Sequence, residues 1–164
     1  EGGGSIRAMH LMLLASALDA SGDWGGAQKA LEEALVLAPK NAQVLNYLGY
    51  SLLERRIDVK RGFKLVSRAY ELSPQSAAIT DSLGWAHFLR GEIDIAIPLL
   101  EAAVKSAIGD VAINEHLGDA YWSAGRKSEA RFAWRAAAVA AEGQVSERLV
   151  QKIDFGWTKE TAAP

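Results

Sequence analysis

Asp81, Glu115 and Asp119 are the acids of this 164-residue chain placed to share a cation or to act as a general acid–base pair. His116 directly follows Glu115, yet no second histidine stands four residues away, so the paired ligands of a metalloprotease helix are missing. His10 lies near the start of the chain. His87 falls in a packing column of the pattern described below, where a hydrogen-bonded structural histidine is the commoner case. The chain has no cysteine, which removes disulfides, thiolate metal sites and cysteine nucleophiles together. No glycine-rich phosphate loop follows a strand, and no strand is predicted. On a ladder of helices such acids usually form a solvated face. No catalysis, cofactor or metal is therefore expected.

Charge and composition narrow the partner. A net charge of −2 argues against nucleic acid, whose binders carry a basic stripe to neutralise phosphate. Hydrophobic residues make up 49%, enough for a continuous core. No apolar run approaches the ~20 residues of a membrane span. Residues 1–5, Glu-Gly-Gly-Gly-Ser, read as a flexible linker or cloning scar, so a native targeting segment is expected to have been cut away. Residues 156–164 read as a flexible tail.

The elements that must position these side chains announce themselves by period. Ala34, Ala69, Ala103 and Ala137 are spaced 35, 34 and 34 residues apart. Leu14, Leu48, Leu83 and Leu117 keep 34, 35 and 34, and Ala27, Gly62, Ala96 and Ala130 keep 35, 34 and 34. Three columns at one period make a four-fold repeat. Gly49, Gly84 and Gly118 follow the leucine column, with Ala15 in the first unit, and let a second helix cross close by. Gly22, Gly91 and Gly125 mark turns that need positive φ. Leu31, Val66, Leu100 and Trp134 are the bulky residues of the second helices, and Pro39 and Pro74 close the first two units.

Helices are expected at 6–20, 24–38, 42–55, 59–72, 77–90, 94–107, 111–124 and 127–142. They form four repeats at about 8–41, 42–76, 77–110 and 111–143, together residues 6–143. Residues 144–155 are expected as a capping helix, because Val145, Leu149 and Ile153 recur every four residues. The front of the stack has no evident cap: Met9, Met12 and Leu13 follow the linker at once, so further repeats are expected upstream.

With these columns in view, the chain resembles the tetratricopeptide-repeat (TPR) family, most closely through Gly118, Tyr121, Ala130, Trp134 and Ala137. It departs where the early aromatic is replaced by Leu11, Leu45, Thr80 and Asn114. The closing proline is absent at Ile108 and Glu142, and the turn 55–60 lacks glycine. The stretches 45–50, 81–86, 116–122 and 129–134 resemble TPR proteins of Gram-negative bacteria, including cell-envelope lipoproteins that bring periplasmic proteases or hydrolases to their substrates. The resemblance implies an all-α, right-handed solenoid of about four helix-turn-helix repeats plus a capping helix. It also implies a non-catalytic scaffold or adaptor, in the periplasm or, alternatively, the cytoplasm.

In that family the first helices line a concave groove. Carried onto this chain, the groove positions are Asn46, Tyr47, Tyr50 and Leu53, then Asp81, Ser82, Trp85 and Phe88, then Glu115, His116, Asp119 and Trp122. Aromatics lie beside acids with no lysine or arginine among them, so the partner expected is a protein or peptide segment that is basic and apolar. Only Asn46 resembles part of a carboxylate clamp, and that mode is rejected. Trp134 and Tyr121 are expected in the core, Trp24 at the first inter-helix turn, and Trp85 and Trp122 at the binding surface. The alternative is self-association (a homo-oligomer) through the stack end at Met9, Met12 and Leu13.

Overall fold

A computed structural model describes residues 2–158, and among them every regular element is a helix. The chain divides into two compact units, Glu1–Pro74 and Gln75–Pro164. None of the described helices is long and apolar enough to cross a membrane.

The first unit holds α1 (Gly2–Ala20), α2 (Trp24–Leu37), α3 (Ala42–Glu54) and α4 (Val59–Leu72). Asp23, Asn41 and Asp58 accept hydrogen bonds from the first free N–H groups of α2, α3 and α4, which fixes where each helix starts. The α3–α4 pair crosses at two glycines. A Cβ on Gly62 would lie 2.8 Å from the Gly49 carbonyl oxygen, so neither position tolerates a side chain without separating the helices. Gly22 turns α1 into α2 at φ +86°, whereas the glycine-free turn after α3 puts Arg56 at φ +53°. A non-glycine residue pays for that conformation locally.

Two expectations need correction here. Gly2 to Ser5 are the first turn of α1 rather than a linker. A Cβ on Gly4 would meet the Leu37 carbonyl oxygen at the end of α2 at an ordinary 3.6 Å, so the start of α1 has a neighbour there. Leu14 is 50% exposed although Leu48 in the same column is fully buried, because the inward face of α1 is built from Ala8 and Ala15.

The second unit holds α5 (Ala77–Leu89), α6 (Ile93–Ser106), α7 (Val111–Ser123), α8 (Lys127–Ala140) and α9 (Glu147–Phe155). Ser76, Asp110 and Ser146 cap α5, α7 and α9. Gly91 makes the α5–α6 turn at φ +78° and Gly125 the α7–α8 turn at φ +80°. Leu83, Leu117, Ala103 and Ala137 are buried, as the columns predict. Gly118 leaves the space that the Trp134 indole fills. Ala130, Trp134, Ala137 and Leu149 form one apolar cluster, joined by Val145, Ile153 and Trp157, so α9 covers the apolar side of α8.

Candidate functional site

In the second unit four of the expected groove positions, Asp81 on α5 and Glu115, His116 and Asp119 on α7, form one buried ionic cluster with α9. His116 Nδ1 lies 2.9 and 3.0 Å from the two carboxylate oxygens of Asp81. Asp119 accepts from the Trp134 indole N–H at 2.9 Å and from Lys152 Nζ at 2.8 Å. Lys152 also donates to Glu115 at 2.6 Å, and Arg148 grips both Glu115 oxygens at 3.0 and 3.1 Å. Lys152 and Asp119 are both 0% exposed.

A charge removed from water this completely persists only with partners at bonding distance. The repeat places the acids on α7, and α9 carries Arg148 and Lys152 one helical turn apart on the same face, next to the apolar residues that seat it.

The titration behaviour follows from these contacts. Burial pushes the Glu115 carboxyl up, but Lys152 and Arg148 together outweigh it and hold the group below the usual carboxylate range. At Asp119 burial, helped by the Glu115 charge, outweighs Lys152 and the weaker His116 charge, so its carboxyl is raised. The two directions differ on one shared lysine because Arg148 also bonds Glu115, whereas Asp119 is fully buried beside the Glu115 charge. Burial disfavours a charged His116, yet Asp81 beside it, with Asp119 and Glu115, more than offsets this and raises the imidazole.

Aromatic rings continue the cluster. Trp85 is stacked between His116 and Phe88, with centroids 4.2 and 4.7 Å away. Phe88 meets the edge of Trp157 at 6.4 Å and 87°. Trp122 leans on Trp134 at 5.4 Å, and the ammonium of Lys127 lies 3.7 Å from its ring centroid. Tyr121, placed in the core by its column, is half-buried. Burial and its hydrogen bond to Glu101 push its phenol up to about 12.

These contacts correct several expectations. Asp81, Glu115 and Asp119 do not form a solvated acidic face awaiting a basic partner: α9 and His116 supply the cations from within the chain. Trp85, expected at the binding surface, is 1% exposed and packed between two rings. Gly156 and Trp157, expected in a flexible tail, pack against Trp122 and Phe88, while residues 159–164 of that tail lie outside the described residues. His87 pairs with Glu92 at 2.6 Å. Trp24 stands at the start of α2 with the Arg55 guanidinium over its ring.

The missed residues are Arg148, Lys152 and Trp157. The available signal for the first two was their four-residue spacing beside the stripe Val145, Leu149, Ile153.

In the first unit the groove positions are less enclosed. Asn46, Tyr47 and Tyr50 are half-buried, and Leu53 is buried. Tyr50 donates to Glu54 at 3.0 Å. Burial first, then the Asp19 charge, pushes the Tyr47 phenol up.

The sequence profile of the tetratricopeptide repeat matches residues 12–77 and 82–145. The chain belongs to the tetratricopeptide-repeat family. TPR repeat-containing protein PA4667 of Pseudomonas aeruginosa is 33% identical over 92 residues, 56% of this chain and 15% of that protein. The human mitochondrial import receptor subunit TOM70 is 27% identical over 95 residues, 58% of this chain and 16% of that protein. The TPR chain thus spans about a sixth of the length of these curated relatives.

Among solved structures, the thermophilic TPR protein TTC0263 of Thermus thermophilus aligns with TM-score 0.73 at 17% identity, covering 82% of this chain and 75% of that one. MamA from Desulfovibrio magneticus RS-1 aligns at 0.68 and 19% identity, covering 92% and 83%. At such identities the likeness is one of fold. A TPR fold serves as a protein-interaction scaffold in general.

Proposed function

We propose that this TPR chain is a non-catalytic scaffold whose groove-lining first helices take up a segment of another protein through aromatic contact. The observation that carries this reading is a row of rings, His116, Trp85, Phe88 and Trp157, whose last member comes from a non-helical stretch laid against α5. The groove positions of the second unit accept an extended segment bearing an aromatic side chain, here supplied by the chain itself. Rings give large contact area at low entropic cost, and they recur at binding hot spots. The acids take no part in this recognition, since their charge is already compensated by Arg148, Lys152 and His116.

A peptide array graded in aromatic content and in charge tests the reading. Binders are expected to carry Phe, Tyr or Trp, and Phe88→Ala or Trp122→Ala should each weaken them by more than about tenfold, as hot-spot truncation does. Binding that tracks basic charge alone, or that moves less than about twofold in both variants, would overturn it.

A second reading has an observation of its own. Ile6, Met9 and Leu13 on α1 are 55, 54 and 65% exposed, and their spacing of three and four residues places them on one helix face. Such a stripe suits self-association, whereas Met12 packs inward with the α1–α2 core. In sedimentation, a mass that rises with concentration and returns to monomer in Leu13→Glu supports an oligomer. An unchanging monomer leaves only the groove.

A further inference from the structure

We propose that Phe88 and Trp122 form an aromatic-accepting end of the groove that Trp157 holds closed in cis, and that a partner segment presenting a phenylalanine-type ring opens it by displacing residues 156–158. This rests on the groove reading above and adds the partner's chemistry and its competition with the chain's own tail.

The C-terminal stretch carries two separable devices. The first is the cap: Leu149 is buried in the α8 cluster, Val145 and Ile153 pack beside it, and Lys152 closes the ionic cluster on α7. All of these residues precede Gly156; Trp157, beyond it, packs against the same α8 cluster without seating α9 itself. The second is a strap. Gly156 ends α9 at φ +93°, and a Cβ there would collide with the Trp122 ring, so the chain crosses that ring only because position 156 has no side chain. The crossing delivers Trp157 edge-on to Phe88. Phe155, just before the glycine, is exposed and adds little to the seating.

The strap is a poor occupant of a good site. Among the described residues Trp157 Nε1, like Trp24 and Trp85 Nε1, is buried with no hydrogen-bond partner, so seating the indole leaves a donor unpaired. A phenyl ring has no such donor and would occupy the same apolar place without that loss. Displacement takes Trp157 from the edge of the α8 cluster but leaves Val145, Leu149, Lys152 and Ile153 to seat α9, so the charge cluster stays closed while Phe88 and the Trp122 ring are uncovered. The chain's affinity for partners is then set by the fraction of molecules with the strap open.

The test uses the full chain and an acetylated pentapeptide, Asp-Ala-Gly-Phe-Thr, built on residues 154–158, with a counterpart bearing Ala for Phe. Both are titrated by NMR against the wild-type chain and Trp157→Ala, with circular dichroism confirming the helices. The Phe peptide should bind Trp157→Ala about tenfold or more tighter than wild type, because the tethered competitor is gone. Phe88→Ala in that background should remove the gain, and the Ala peptide should bind neither chain. Equal binding of the Phe peptide to both chains overturns the cis occupant and leaves the groove reading standing. Binding to neither overturns both. Loss of helix in Trp157→Ala also overturns the proposal, because cap and strap would then be one piece.

Discussion

The two units are built on the same helix pair and both carry exposed ion pairs, yet among the described residues only the second seals a charge cluster from water. In the first, Arg61 on α4 meets Glu32 on α2 at 2.6 and 2.7 Å with both side chains more than a third exposed, and Arg7–Glu33 is more open still. In the second, Lys152, Arg148, Glu115, Asp119, Asp81 and His116 form a cluster in which all but Arg148 are essentially sealed from water. Exposed pairs exchange water for a partner at little net gain. Buried ones hold charges that were costly to desolvate, so losing either partner is severe. The ionic contacts look alike in geometry, and burial decides what each is worth.

The sharpest break of that comparison is Lys152→Ala. Among the described residues it leaves Glu115 with Arg148 alone and Asp119 with no cation at bonding distance, and it should cost about 3–5 kcal/mol in chemical denaturation. A loss below about 1 kcal/mol would mean that water reaches Asp119 and that the burial contrast is false.

Next comes the repeat's own leucine column. Leu48→Ala and Leu83→Ala empty buried sites and should cost about 2–5 kcal/mol each. Leu14→Ala, in the same column but half exposed, should stay within about 0.5 kcal/mol, as surface substitutions do. Equal losses at Leu14 and Leu48 would show α1 to be covered in solution, which a self-associating chain would achieve.

The third effect is pH dependence confined to the buried cluster. His116 is raised above its unfolded value of about 6.5, so its stabilisation is fully present below that pH and is lost as pH rises through the folded value. The groups facing it are Asp81 from α5, Glu115 and Asp119 from its own helix, and Lys152 and Arg148 behind them on α9. The wild-type melting temperature should fall as pH rises above about 6.5 through the folded value, and His116→Gln should lower the low-pH end most, flattening that slope. A wild-type slope retained in the variant assigns the titration elsewhere.

The fold was legible because its information is periodic. Columns at 34 and 35 residues report one helix pair burying itself against the next, and glycine after the leucine reports a close crossing, which Gly49, Gly84 and Gly118 then realise. The candidate site was legible in position and misread in state. Family geometry located Asp81, Glu115, Asp119, Trp85 and Phe88 on the first helices, but could not say that another segment already lay on them. Asp119 and Lys152 are 33 residues apart, and the repeat assigns no partner to a helix beyond its last unit. Val145, Leu149 and Ile153 gave the existence of α9, and only the packed chain shows that its cations face α7. Trp157 was harder still, since one aromatic after a glycine carries no period at all.

The smallest predicted effect closes the comparison from the exposed side. Arg61 makes two short hydrogen bonds to Glu32, and this bonding, together with the Glu32 charge, raises the guanidinium despite partial burial. Bidentate geometry is the strongest form such a pair takes, so this is the fairest exposed counterpart to Lys152. With 40 and 37% of the two side chains accessible, solvent screens the attraction and the side chains give up rotamer freedom to hold it. Arg61→Ala should therefore cost about 0.2–1 kcal/mol, shrinking further as salt rises to about 1 M, where the Debye length is ~3 Å. Lys152→Ala measured at both salt concentrations should keep most of its penalty, because ions do not enter the space around Asp119. If the Arg61 loss equals the Lys152 loss at low salt, or if both respond to salt alike, burial is not what separates the two units.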